Sequence, residues 1–367
     1  MIKTYIKAVG TANPATKIAQ AQISQFMAKA VGLNAVEERR LRMIYRATAI
    51  DFRHSVIEDY GRIANFDFFP DNERLEPFPT TAQRMKMYEK YAIELAMEAI
   101  NNCLANKNLI PKITHLITVS CTGMYAPGID IEIVERLGLS FQTQRTCINF
   151  MGCYAAFNAL KVADMICKAT PEASVLIVDV ELCTIHFQKE NTEDQLLANA
   201  IFADGAAALL LGTEKGEGKA MSLEAFHCDL APQGKSDMAW YIRDFGFEMR
   251  LSSYVPNLLE TKMKELTDRL LQKLNLQIGQ IDAFAIHPGG KRILEVAEKC
   301  LKISPIQNQY SYQILRNFGN MSSATVLFVL KNIWDNCPLT EKKEGNILSM
   351  AFGPGLTIES ALLKLHI

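Results

Sequence analysis

The feature of this sequence that most constrains its fold is a set of short runs that are almost entirely apolar. These runs are His115–Ser120, Ser174–Val180, Ala206–Gly212 and Ile347–Phe352. A strand with one wet face alternates apolar and polar residues, so a continuous apolar run predicts a strand covered on both faces. Before the first run, Gln83–Asn102 carries apolar residues at helical spacing, and so does Ala156–Cys167 between the first two runs. The alternation predicts an α/β protein whose sheets are covered by helices.

The chain has 367 residues, which exceeds one small core and predicts two domains of roughly 150 residues or more each. A weak internal echo supports two halves, because Asn149–Cys153 and Asn317–Asn320 both lead from a Gly-containing loop into a segment of small residues. The charged, Gly-containing stretch Thr213–Lys219 is the predicted seam. We therefore predict an N-terminal half at 1–213 and a C-terminal half at 214–367.

Composition excludes several functional classes. The net charge of −1 gives no sign of a nucleic-acid or anionic-membrane partner. The apolar runs fall short of the ~20 residues of a membrane span, and the first residues lack a signal-peptide core, so we expect a cytoplasmic protein. The nine cysteines show neither CxxC nor Cys/His zinc spacing, so we expect no disulfide framework and no metal site.

Cys153 is the first candidate for chemistry. It follows Gly152 at the predicted start of a helix, where the macrodipole favours a thiolate. A buried cysteine that serves only as packing is the common alternative.

Two further polar residues lie at comparable positions. His287 ends an apolar run just before Pro288 and the glycines that follow, where a histidine can face a site or be a hydrogen-bonded core residue. Asn320 precedes another predicted helix, where it can act as a catalytic amide or as a helix cap.

Together these three residue types suit acyl transfer and carbanion chemistry. A thiolate accepts an acyl group from a thioester, and an imidazole stabilises that thiolate as an ion pair. Imidazole and amide N–H groups can hold the developing charge of an enolate. Papain-like proteases use the same residue types, but their local cysteine signature is absent here.

Five ordered segments resemble those of type III polyketide synthases, the chalcone synthase-like enzymes. They are Met-Gly-Cys-Tyr-Ala-Ala at 151–156, Ile-Phe-Ala-Asp-Gly-Ala-Ala at 201–207, Ile-His-Pro-Gly-Gly at 286–290, Phe-Gly-Asn-Met-Ser-Ser-Ala at 318–324 and Phe-Gly-Pro-Gly-Leu-Thr at 352–357. The similarity extends from about Val9 to about Leu363.

The resemblance implies a thiolase-like fold: two pseudo-two-fold-related α/β halves in a five-layer αβαβα arrangement. It implies a homodimer with a buried site reached through a CoA tunnel. It also implies repeated decarboxylative condensation of malonyl-CoA onto an acyl-CoA starter held on Cys153, with no metal or redox cofactor. His287 and Asn320 would hold the enolate, and Phe202 would be the gatekeeper at the tunnel.

The resemblance also implies a set of substrate-contacting residues. Those of the substrate pocket are Cys121, Cys183, His186, Met249, Ser322, Gly353 and Pro354. Arg39, Arg42 and Arg46 recur along one predicted helix face and match the family's CoA-contact positions, although a solvated charged face is the ordinary interpretation of such a stripe.

The pocket departs from the plant pattern at Cys121, Cys183, His186 and Met249, which favours aliphatic starters and alkylpyrone or alkylresorcinol products over a chalcone. An initiation-type ketoacyl-acyl carrier protein synthase has the same residue set, but its histidine segment differs. Delivery of the starter by an acyl carrier protein stays open. A homologue that binds acyl-CoA without catalysis is the alternative from another class.

Overall fold

The computed structural model describes residues 2–105, 107–252, 255–338 and 343–367. The α-helices in these ranges are α1 (Gln20–Val31), α2 (Ala35–Ala47), α3 (Thr81–Cys103), α4 (Ile129–Leu137), α5 (Ala155–Ala169), α6 (Glu193–Ile201), α7 (Val255–Gln272), α8 (Lys291–Leu301), α9 (Gln309–Phe318) and α10 (Ala324–Asn336). The strands are β1 (Tyr5–Ala12), β2 (Lys17–Ala19), β3 (Phe52–His54), β4 (His115–Ser120), β5 (Gln144–Asn149), β6 (Val175–Leu182), β7 (Asp204–Gly212), β8 (Ala220–Leu230), β9 (Met238–Arg243), β10 (Gly246–Leu251), β11 (Ala283–Ile286), β12 (Glu344–Gly353) and β13 (Thr357–His366).

Within the described residues, one nine-stranded sheet runs in the order β11-β12-β13-β8-β1-β7-β6-β4-β5. From β1 outward the pairings are antiparallel to β7, antiparallel to β6, then parallel to β4 and β5. From β8 outward they are antiparallel to β13, antiparallel to β12, then parallel to β11. The two halves thus repeat one pairing scheme and join where β1 pairs with β8.

Three hydrophobic clusters lie between the helices and the two halves of the sheet. The first lies between α3 and one face of the N-terminal strands. The second surrounds α5 and α10, which contact strands of both halves. The third lies between the C-terminal strands and helices α7 and α8. The predicted thiolase-like αβαβα fold is therefore confirmed.

The doubly covered strands arise because both faces of the sheet meet helices. In β7, Ala206, Ala208 and Leu210 belong to the first cluster, whereas Ala207, Leu209 and Leu211 belong to the second. Successive side chains of a strand point to opposite faces, so both faces must be apolar. The apolar runs predicted as strands correspond to β4, β6, β7 and β12, and the helical patterns to α3 and α5.

The division between residues 213 and 214 stays a prediction, and the sheet is continuous across it. The described residues contain no helix with the length and hydropathy needed to span a bilayer. All nine cysteines are free thiols. No cluster of three or more His, Cys, Asp or Glu side chains among the described residues has a metal-binding arrangement.

Candidate active site

Cys153, His287 and Asn320 come from different elements and line one cavity of about 290 Å³. Cys153 lies in the turn before α5, His287 follows β11, and Asn320 lies between α9 and α10. All three side chains are buried. Because α5 and α10 form the central layer, their N-terminal ends bring the thiol and the amide together.

The turn that presents Cys153 depends on glycine. Gly152 has φ +87°, and a Cβ there would overlap the ring of Pro354. A Cβ at Gly353 would overlap the ring of Tyr154, the N-cap residue of α5. Gly353 and Pro354 therefore pack directly against the turn that carries the thiol.

The Cys153 thiol lies in an environment that disfavours its ionisation. Burial raises its pKa to about 12, although contacts with Ser322, whose Oγ lies 3.8 Å from Sγ, and with Asn320 act in the opposite direction. Desolvation therefore opposes the ionisation that the helix end was expected to favour, and a thiolate at Cys153 stays a prediction.

His287 is a neutral imidazole with free ring nitrogens. Burial lowers its pKa to about 3, and neither Nδ1 nor Nε2 has a hydrogen-bond partner among the described residues. Its backbone N–H donates to Met350 O at 2.8 Å, which continues the β11–β12 pairing and fixes the residue. Unpaired buried polar atoms are costly, so an unpartnered imidazole that lines a cavity is a feature of a ligand site.

The Asn320 amide is held so that its nitrogen faces away from its anchors. Its Oδ1 accepts from the backbone N–H of Ser322 at 2.9 Å and from Thr325 Oγ1 at 3.4 Å. Its Nδ2 donates a long bond of 3.4 Å to Gly289 O and also acts as a hydrogen-bond partner of the Cys153 thiol. Asn320 therefore anchors the loop through its oxygen and keeps N–H capacity for a ligand.

The cavity lined by Cys153, His287 and Asn320 is called the catalytic cavity below. Phe202 and Met249 lie between this cavity and two inner cavities. Both side chains line all three spaces. The inner cavities are small, about 10 Å³ beside Cys153 and about 40 Å³ beyond it. Phe202 thus lies between the cavities, and the space behind it is largely filled, while its role as a gatekeeper stays a prediction.

Cys121, Cys183 and His186 line the two inner cavities, and their contact with substrate stays a prediction. Cys121 Sγ accepts from Gly152 N at 3.0 Å. His186 is fixed on both sides: Nε2 is 2.7 Å from Thr122 O, and Nδ1 accepts from Phe247 N at 2.9 Å. Burial lowers the pKa of His186 to about 3, which favours a neutral imidazole that connects the two backbone segments through hydrogen bonds.

Sequence reasoning missed Trp240, which fills much of this pocket. Its Nε1 donates to Cys121 O at 2.8 Å, and its ring packs edge-on against His186 and Phe247. It lines both inner cavities. The available signal was that the chain has only two tryptophans, one of them within a short β-hairpin pattern.

Sequence reasoning also missed two acids behind the thiol. Glu181 accepts from Cys121 N at 2.9 Å and from Thr122 Oγ1 at 2.8 Å, and Ser323 Oγ is 2.6 Å from Glu181 and 2.9 Å from Asp179. Burial raises the pKa of both carboxyl groups, and Glu181 adds to the effect on Asp179. Acidic residues within the apolar run of β6 were the available signal.

This acid pair gives a stability prediction. Folding raises the pKa of Asp179. The contribution of this carboxyl group to stability is therefore fully present below its unfolded pKa of ~4 and is lost as pH rises through its folded pKa. Asp179→Asn cannot ionise and should increase the free energy of unfolding at pH 8 by on the order of 1–3 kcal/mol, with a smaller gain at pH 6. Chemical unfolding at both pH values measures this.

Asp164, which pairs with Lys168 at 2.7 Å, supplies the control, because Asp164→Asn removes a favourable ion pair and should not stabilise. The prediction would be contradicted if Asp179→Asn increased the free energy of unfolding less at pH 8 than at pH 6.

The structure does not bring the arginine stripe to the catalytic cavity. Arg39, Arg42 and Arg46 are exposed on α2, where Arg42 pairs with Glu38. Arg42 and Arg46 line a separate cavity of about 570 Å³ between α1 and α2. The cations that line the catalytic cavity are instead Lys291 and Arg292, in the first turn of α8.

Residues 2–215 match the family model of the N-terminal domain of chalcone and stilbene synthases, and residues 222–366 match that of the C-terminal domain. The chain is 30% identical over 365 residues to the alpha-pyrone synthesis polyketide synthase-like Pks18 of Mycobacterium tuberculosis, with 98% of this chain and 91% of that protein covered. It is 29% identical over 373 residues to a putative chalcone synthase of Bacillus subtilis, with 98% of each covered.

Larger proteins and solved structures match as well. The chain spans 11% of the length of the probable polyketide synthase 1 of Dictyostelium discoideum, with 29% identity over 369 residues. The crystal structure of PKS-I from the brown alga Ectocarpus siliculosus superposes with a TM-score of 0.91 at 28% identity, covering 100% of this chain and 99% of that one. The resemblance drawn from five sequence segments is thereby confirmed.

Proposed function

Since this chain belongs to the chalcone and stilbene synthase family of type III polyketide synthases, we propose that it extends an acyl starter on Cys153 by repeated decarboxylative condensation with malonyl-CoA. One observation carries the proposal: a thiol, an unpartnered imidazole and an oriented amide line the same cavity. The proposed steps need only CoA thioester substrates.

Loading begins with two neutral groups. The Cys153 sulfur attacks the thioester carbonyl of the starter as its proton passes to His287, and the charges this creates attract each other strongly in a dry cavity. The tetrahedral intermediate then expels the CoA sulfur, which takes the proton back from His287. The products are the acyl-Cys153 thioester and free CoA, and both side chains return to the state seen in the structure.

Extension uses the same cavity. Malonyl-CoA places its thioester carbonyl oxygen against the His287 ring N–H and Asn320 Nδ2, which hold the negative charge of the enolate as CO₂ leaves. The enolate carbon attacks the acyl thioester, a carbon–carbon bond forms, and the Cys153 thiolate departs. Phe202 covers the space beside these groups and orients the malonyl group away from the inner pocket.

The cavity favours aliphatic starters. Its wall is mainly apolar and includes Leu197, Leu251, Val255 and Ile293, while the pocket behind Phe202 is nearly full. We propose cyclisation to alkylpyrone or alkylresorcinol products, in line with the alpha-pyrone synthesis that the name of the mycobacterial relative states. Product masses from a panel of aliphatic and aromatic acyl-CoA starters test this, and turnover confined to aromatic starters would contradict it.

The phosphates of CoA are best placed at the mouth of the cavity near α8. Lys291 and Arg292 lie there beside the free backbone N–H groups of a helix N-terminus, a favourable setting for phosphate. The double variant Lys291→Ala/Arg292→Ala should raise KM for acyl-CoA and malonyl-CoA on the order of tenfold, with a smaller change in kcat.

Arg42→Ala is the comparison, since Arg42 was the sequence-based choice and lies on the separate cavity. A larger KM increase for Arg42→Ala than for the α8 variant would return the phosphate site to the arginine stripe.

The natural donor of the acyl starter is identified by a second comparison, in which acyl groups are offered either on an acyl carrier protein or as acyl-CoA in the same assay.

We also propose a homodimer. Strand β5 forms an open edge of the large sheet, and its side chains are mostly exposed. Phe141 before it and Met151 after it are exposed large apolar residues. An uncovered edge of this kind invites pairing, so a second copy would cover it. Sedimentation as a monomer at micromolar concentration would contradict the proposal.

A further inference from the structure

Arg53 is a buried cation at the carboxyl end of α6, the helix that Phe202 directly follows. It lies in β3 and is 3% exposed. Its hydrogen-bond acceptors among the described residues include carbonyl and amide oxygens but no carboxylate, and the buried carboxyl group of Asp204 acts on it electrostatically. A buried charge without a hydrogen-bonded carboxylate is costly, so the structure must compensate it by further contacts.

The compensation comes from the end of α6. Arg53 Nη1 donates to Asn199 O at 2.8 Å and to Phe202 O at 2.6 Å. Its Nε donates to Gln20 Oε1 at 2.8 Å, and Gln20 Nε2 in turn donates to Ala200 O at 2.6 Å. The last carbonyls of a helix lack partners within it and form the negative end of its dipole, which a guanidinium satisfies.

The same side chain contacts the loop that carries Asn320. The backbone N–H of Asn320 donates to Ile201 O at 2.8 Å, and Ala203 N donates to Asn320 O at 2.8 Å, so the two segments are paired. Gly319 has φ +73°, and a Cβ there would lie 3.0 Å from Arg53 Cγ. The aliphatic part of Arg53 thus packs on the glycine next to the catalytic amide.

We propose that Arg53 is a positioning residue for malonyl decarboxylation, which fixes Phe202 and Asn320 relative to each other by capping α6 and supporting Gly319. The inference rests on the proposed function. The proposed role affects only one of two half-reactions. Loading of Cys153 uses the thiol and His287, whereas decarboxylation also needs Asn320 correctly placed relative to Phe202.

Arg53→Lys is the test. Lysine keeps the charge but not the fork that joins Asn199 O, Phe202 O and Gln20, so the two segments lose their common support. Malonyl-CoA decarboxylation, followed as acetyl-CoA without starter, should fall on the order of 10²-fold, because a small misplacement of catalytic groups has effects of this size. The rate of Cys153 acylation by the starter should stay unchanged.

Arg84→Lys is the matched control. Arg84 is also fully buried, donates to the backbone carbonyls of Pro79 and Ile185, and lies over the ring of Phe78, much as Arg53 lies over the ring of Tyr45. It makes none of the Arg53 contacts at α6. Its substitution should cost stability comparable to that of Arg53→Lys while decarboxylation and acylation keep their ratio.

The outcomes separate the possibilities. Loss of decarboxylation with intact acylation in Arg53→Lys alone supports the proposal. Unchanged decarboxylation in folded Arg53→Lys, or parallel loss of both half-reactions in both arginine variants, overturns it. If Arg53→Lys does not fold, Gln20→Met removes the acceptor of the Arg53 Nε–H. The same assay then compares the decarboxylation and acylation rates of this variant, with the same two outcomes. Absence of both half-reactions in the unchanged protein would instead defeat the proposed function.

Discussion

Cys153→Ala is expected to abolish polyketide formation while malonyl-CoA is still converted to acetyl-CoA and CO₂. In the proposed mechanism the thiol carries the acyl chain and the enolate is held by His287 and Asn320, which this change leaves in place. Product formation should fall by on the order of 10⁴-fold or more, the scale of losing a covalent nucleophile. Liquid chromatography with mass detection of products and acetyl-CoA measures both activities.

Asn320→Ala is the paired variant. It removes an enolate hydrogen bond, so decarboxylation and condensation should fall together by about 10²–10³-fold. The thiol turn before α5 does not depend on this amide for its backbone bonds, which run from Ala155 N to Gly152 O and from Phe157 N to Tyr154 O. Equal retention of product formation in both variants would place the chemistry elsewhere.

Trp240→Ala is expected to change the products rather than the chemistry. The indole fills the space behind Phe202 and closes over Cys121, so its removal merges and enlarges the two small inner cavities. Cavity space decides how far a chain can grow before release, and we expect product masses to rise by whole malonyl-derived units. Bulkier starters should also gain turnover relative to short ones.

Trp334 is a suitable control, because it is the second tryptophan, lies on α10 and packs against the central cluster away from these cavities. Each change to alanine should reduce stability by about 3 kcal/mol or less, since both side chains are only half-buried. An unchanged product spectrum in Trp240→Ala, or the same shift in Trp334→Ala, would contradict the assignment of Trp240.

The sequence predicted the fold well because its strongest signals are local. The apolar run at His115–Ser120 is strand β4 to the residue, and the helical pattern at Gln83–Asn102 falls within α3. These elements are buried on predictable faces, so periodicity is sufficient to identify them. The candidate catalytic residues were chosen for a different reason, because Cys153, His287 and Asn320 lie in short segments characteristic of the family.

The rest depends on contacts between distant parts of the chain. Trp240 and Arg53 reach the site through a hairpin and a short strand that carry no local motif. The raised pKa of Cys153 follows from burial, which a macrodipole argument at one helix end does not include. The arginine stripe was correctly placed on a helix, but the rotation of α2 about its axis turns that face to another cavity.

The central claim is that the acyl chain is carried by Cys153 within the cavity shared with His287 and Asn320. Intact-protein mass spectrometry after incubation with an aliphatic acyl-CoA, followed by peptide mapping, tests it most directly. We predict one acyl adduct on the peptide that contains Cys153, with no adduct in Cys153→Ala. An adduct on another of the nine cysteines, or turnover without any adduct, would contradict the account.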